Sequence, residues 1–155
     1  MATPPAPPLR LVVRRRGREG QPLEFSLAVP SDLACVGDAV ELVALQCRAG
    51  PLSVRRLAFN LRTALAEALT NAITYGSHRN PAKLVQVRVE VTVQAVVIRV
   101  HDVGDGFDPA LVPDPTVPAN VAKEDGRGLF VLRHLVDQVT FNPRGNVICL
   151  TLRGG

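Results

Sequence analysis

The chain has no tryptophan, one tyrosine and one methionine, and aromatic residues make up 4% of its 155 positions. Without interleaved aromatics, the basic cluster Arg14, Arg15, Arg16 and Arg18 reads as a solvated arm, and direct nucleic-acid binding is not expected. Cysteine is scarce too: Cys35, Cys47 and Cys149 are odd in number and far apart. That excludes a disulfide framework and a CxxC zinc or redox signature, leaving three thiols expected to be buried in a reducing cytoplasm. His78, His101 and His134 have no second His or Cys at metal-ligand spacing. There is no GxxxxGK[ST], so any phosphate binding must use something other than a Walker A loop.

Long hydrophobic runs are also missing. The longest candidate, Val85 to Val100, is broken by Gln86, Arg88, Glu90, Gln94 and Arg99, which rules it out as a membrane span. The start, MATPPAPPLR, has neither an apolar core nor a small-residue cleavage site. A cytoplasmic protein is expected.

What is present is 46% hydrophobic residues, a formal charge of +4 and thirteen prolines. This length and content suit one domain with a real core. Residues 1–20 read as a flexible arm rich in Pro and Arg, with a possible extra strand over 9–16, and residues 21–155 as the domain. Leu23 to Val29 alternates and is stopped by Pro30. Ser31 is the expected N-cap of an amphipathic helix to about Arg48, and a second helix runs from near Ser53 to Gly76 as its C-cap. Val85–Val93 and Val96–Val100 form a hairpin turning near Gln94. A third helix follows over Gly126–Asp137, then strands at Gln138–Phe141 and Val147–Leu152. The order β, α, α, β, β, loop, α, β, β predicts an α+β two-layer sandwich: a mixed, mostly antiparallel sheet with helices on one face.

Three short patterns could carry chemistry. In AEALTNAITYG, Glu67 and Asn71 are four apart and share a helix face. A carboxylate beside a neutral oxygen suits proton acceptance next to a hard cation. HDVGDGFDP closes a strand with Asp102, Gly104 and Gly106; glycine allows close backbone approach, and a carboxylate accepts from an exocyclic amine. In EDGRGLF, Gly126 and Gly128 open a helix whose free N–H groups suit phosphate oxygens. Each pattern alone reads more simply as an ordinary turn, a flexible helix entry or a solvated helix face.

Their order is more specific: an ExxxN helix, a strand to DxGxGF, a long loop containing Pro109, Pro113, Pro115 and Pro118, then GxG at a helix start. Over about residues 23 to 153 the chain resembles the single-domain anti-sigma-factor serine kinases of the GHKL ATPase superfamily, the Bergerat fold. The resemblance implies ATP and Mg2+ as cofactors, with Asn71 ligating the metal and Glu67 the general base. It implies that Asp102 reads the adenine amino group and that Gly104, Gly106, Gly126 and Gly128 border the nucleotide. The proline-rich segment matches an ATP lid. Lys123 and Arg127 flank Gly126 as candidates for phosphate contact. Asn146 stands where relatives place a threonine near adenine, and Thr74 and Tyr75 replace a Lys or His found after NAI in many relatives.

A sigma factor and a STAS-type anti-sigma-factor antagonist are the partners the resemblance implies, with the antagonist as serine/threonine phosphoacceptor, and a homodimer is its implied assembly. A sensor histidine kinase would need a separate dimerisation helix pair. A non-catalytic ATP-binding interaction module stays open as the alternative.

Overall fold

The computed structural model describes residues 8–15, 23–102 and 124–154, with backbone only at 14, 15 and 124–127. Alternation of β-branched residues with polar ones produces six strands: β1 Arg10–Arg15, β2 Leu23–Pro30, β3 Leu84–Val91, β4 Ala95–His101, β5 Gln138–Phe141 and β6 Val147–Arg153. They form one sheet in the order β1-β2-β3-β4-β6-β5. The expected mostly antiparallel sheet is present, and every pairing among the described residues is antiparallel. The expected hairpin turns at Thr92, whose Oγ1 accepts from the N–H groups of Gln94 at 3.2 Å and Ala95 at 3.1 Å.

Alternation also fixes which face is buried. Phe25, Leu27, Val87, Val89, Ile98 and Leu150 are all at most 1% exposed and share one face. Against it pack α1 (Val36–Gln46), α2 (Arg62–Asn71) and α3 (Glu124–Leu135). Their inward residues include Val43, Leu65, Leu69 and Leu132, each contributing roughly 1.5–3 kcal/mol by leaving water. The chain is therefore α+β, an open antiparallel sheet with helices on one face. Among the described residues no helix is long and apolar enough to cross a membrane.

Several local expectations are corrected. Ser31 is not the cap of α1: it is fully buried and its hydroxyl donates to Lys83 O at 2.7 Å. Asp32 takes the capping role instead, its Oδ1 accepting from Ala34 N at 2.9 Å above a single 3-10 turn, Leu33–Cys35. The register of β2 with β3 draws Ser31 inward beside Lys83, which leaves the next polar residue to cap. Of the three thiols only Cys47 is buried; Cys35 and Cys149 are half-buried. Burial pushes the Cys47 thiol up to about 12.

The long second helix is α2 flanked by wider π-helical turns, Arg56–Leu61 before it and Ala72–Gly76 after it. Ser53 Oγ accepts from Arg56 N at 3.1 Å near its start. Gly76 is not a left-handed cap: it ends the π turn, Ser77 is the cap residue at φ −97°, and positive φ falls on His78 and Arg79. Helix α3 begins two residues before the expected Gly126. Its C-terminal end is tied to the preceding helical layer, Asn60 Nδ2 donating to Leu135 O at 2.9 Å. Just beyond it, Asp137 pairs with Arg56 at 2.7 Å and accepts from Arg153 N at 2.7 Å.

Candidate functional site

Spacing of four on α2 turns Glu67 and Asn71 to one side of the helix. Both are half-buried. Asn71 Nδ2 points at Glu67 Oε1 across 3.5 Å, a long and therefore weak contact. The amide nitrogen thus faces the carboxylate, and the amide oxygen is left as the group that can serve a cation.

Helix α3 closes on this pair through Gly128. A methyl group placed on its Cα would lie 2.5 Å from Glu67 Oε1 and 3.1 Å from Asn71 Nδ2. A side chain there would have to displace the carboxylate oxygen, so with glycine the backbone of α3 borders the carboxylate directly. Such an approach of main chain to a polar site is what glycine permits. Gly126 and Arg127 share the first turn of α3, and the side chain of Arg127 is outside the described residues.

The second part of the site lies where β4 ends. Asp102 follows His101, the last residue of β4, and its N–H donates to Asn146 O at 3.1 Å. Asn146 is 8% exposed just before β6. Its Oδ1 accepts from Asn142 Nδ2 at 2.7 Å, and Val147 N donates to Asn142 Oδ1 at 3.0 Å. Asn146 Nδ2 stands 3.5 Å from His101 Nε2. The turn between β5 and β6, with Gly145 at φ 73°, is thereby locked beside Asp102.

The Asp102 carboxylate packs on Gly76. A methyl group there would fall 2.3 Å from Cγ and 2.6 Å from each carboxylate oxygen. The widened turn Ala72–Gly76 leads from Asn71 to this point, so one continuous helical segment carries Glu67, Asn71 and the surface under Asp102. Such π-helical turns occur often at functional sites.

The structure therefore brings Glu67, Asn71 and Gly128 together, and separately Asp102 with Asn146. Gly104, Gly106 and Lys123 lie outside the described residues. Sequence reasoning missed Gly76 as a contact of Asp102 and Asn142 as the brace of Asn146. Only the NxxxN spacing of Asn142 and Asn146 could have hinted at the brace, and nothing pointed to Gly76. The histidines behave as ordinary surface groups: His134 Nδ1 meets Phe130 O at 2.8 Å within its own helix, and His101 is exposed.

A magnesium ion is tested by the donor set. Among the described residues no group of three or more His, Cys, Asp or Glu could hold a metal. A cation held by one amide oxygen, with phosphates and water filling the other positions, suits Mg2+, which dehydrates reluctantly and seldom uses an all-protein cage. Asn71 fits that role.

The family model described as the histidine kinase-like ATPase domain matches residues 29–152. The chain is 26% identical over 97 residues to the protein named serine-protein kinase RsbW of Oceanobacillus iheyensis, covering 59% of this chain and 61% of that one. It is 28% identical over 98 residues to proteins of the same name from two Staphylococcus aureus strains, covering 58% of this chain and 62% of each relative. The chain thus spans about six-tenths of the length of the curated relatives it matches.

Proposed function

The chain belongs to the histidine kinase-like ATPase domain family, and from that premise we propose that it is an ATP-dependent protein serine/threonine kinase acting on an anti-sigma-factor antagonist. Membership implies ATP binding; the kinase reading adds the transfer of the γ-phosphate to a protein hydroxyl. The observation that carries it is the juxtaposition of Glu67, Asn71 and Gly128 at one end of the helical layer. The name of the relatives, serine-protein kinase, supports the choice of acceptor.

In this reading Asp102 holds the adenine end by accepting from its 6-amino group, and Asn146 fixes the backbone that carries Asp102. Glu67 takes the proton from the acceptor hydroxyl as its oxygen bonds to the γ-phosphorus and the bond to the β-phosphate oxygen breaks, leaving ADP. A positioned base of this kind contributes roughly 10²–10⁴-fold. Asn71 Oδ1 would hold Mg2+, which supplies neutralisation of phosphate charge. The start of α3 offers N–H groups to the phosphates, with Arg127, and with Gly104, Gly106 and Lys123 from outside the described residues. A sigma factor as second partner, a homodimeric assembly and a cytoplasmic setting complete the proposal.

The test is transfer of labelled γ-phosphate from ATP to the cognate antagonist by wild type and Glu67→Gln. Loss of at least about a hundredfold in the variant, with ATP still bound, supports the kinase. Equal transfer by both proteins, or none by wild type despite ATP binding, defeats it.

A further inference from the structure

We infer that Gly76 is a positioning residue for Asp102, and that its missing side chain sets the preference of the site for a purine bearing a 6-amino group. This rests on the reading of Asp102 as the adenine acceptor. Its own ground is independent: a β-carbon at position 76 would sit 2.3 Å from Asp102 Cγ and 2.6 Å from both oxygens, inside the carboxylate.

The backbone does not ask for glycine here. Among the described glycines only Gly145 has a left-handed φ, at 73°, and Gly76 continues a helical turn in which alanine would be favoured. Space is therefore the reason for glycine at 76. Something must give way if the space is filled, and the main chain of Asp102 is poorly placed to do so. Its N–H is bonded to Asn146 O at 3.1 Å, and His101 before it is paired on both sides, with Gln86 and with Val147. The turn at Gly76 is likewise held, Ser77 N donating to Ala72 O at 2.9 Å and Arg79 N to Ile73 O at 2.8 Å. The carboxylate itself must rotate away, and with it the acceptor that meets the 6-amino group.

Inosine triphosphate is the probe, because it carries a 6-oxo group in place of the 6-amino donor and keeps the same sugar and phosphates. Binding constants for ATP and ITP are measured for wild type, Gly76→Ala, Asp102→Ala, the double variant and Gly37→Ala. Gly37 is an exposed α1 glycine with nothing within 4 Å of an added β-carbon. Wild type and Gly37→Ala should prefer ATP by about tenfold or more, the scale of one charged hydrogen bond. Asp102→Ala and Gly76→Ala should both bring the ratio near one, and the double variant should do no more than either. Circular dichroism and melting without nucleotide show whether Gly76→Ala is folded. If it is not, the double variant, which has no carboxylate to collide with, should regain the fold of Asp102→Ala; failure to do so overturns the inference.

Retention of the wild-type ratio by Gly76→Ala while Asp102→Ala loses it overturns the inference and leaves the site reading intact. Equal loss of ATP and ITP affinity also overturns it, because the damage would then not pass through the acceptor. An unchanged ratio in Asp102→Ala removes the adenine reading, and the inference with it.

Discussion

Replacing Gly128 by alanine should separate stability from catalysis. The added methyl would lie 2.5 Å from Glu67 Oε1, 3.1 Å from Asn71 Nδ2 and 3.6 Å from Glu67 Cδ. An ordinary contact needs about 3.4 Å or more, so the carboxylate oxygen must retreat by close to 1 Å. That oxygen is the free end of a flexible side chain, and rotating it costs about 0.5–1.5 kcal/mol. Alanine is worth about 1 kcal/mol over glycine inside a helix. The two effects nearly cancel, so the melting temperature should change by only a few degrees. Catalysis has no such compensation: misplacing a reacting group by about 1 Å can cost on the order of 10²-fold. Labelled-phosphate transfer at saturating ATP should therefore fall by about ten- to a hundredfold in a protein of near-native stability. Transfer at the wild-type rate would refute the idea that Gly128 fixes the base, as would a collapse of the fold.

The Asp137 carboxyl is held below its usual range, first by the Arg153 N–H and then by the Arg56 guanidinium, against the opposing effect of partial burial. A depressed folded value means stability present above about pH 4, the unfolded value, and lost as pH falls through the folded one. Asp137→Asn should cost about 1 kcal/mol near neutral pH, measured by urea unfolding, and the gap from wild type should close in acid. Cys47, its thiol pushed up to about 12 by burial, should resist iodoacetamide at pH 8 while half-buried Cys149 reacts; mass spectrometry of alkylated peptides reads the order, and early labelling of Cys47 would contradict the packing. On the open face of the sheet Arg88 stands directly opposite Arg99, both exposed. Arg99→Glu should add about 0.5 kcal/mol, a gain that shrinks at high salt; a loss of stability at low salt would contradict the pairing.

Strand positions were legible in the sequence because the sheet is buried on one face, which writes a period of two into Phe25, Leu27 and Val29 and into Val85, Val87 and Val89. Glu67 and Asn71 were legible because helical spacing alone puts them together. The π turn Ala72–Gly76 was not, since five residues are too few to leave a periodic trace. The same holds for Gly76: a glycine after a helix reads as a cap, and only the approach of Asp102 from a strand far along the chain reveals a need for space. Ser31 and Asp32 were exchanged in role because capping propensity is nearly equal for the two, and the β2 and β3 register decides between them.

The most direct measurement is calorimetric titration of wild type and Asp102→Ala with ATP in the presence of magnesium. The account predicts one saturable site in wild type and an affinity weaker by about ten- to a hundredfold in the variant, the scale of one hydrogen bond to a charged acceptor. Identical affinities, or no binding by wild type, would contradict it.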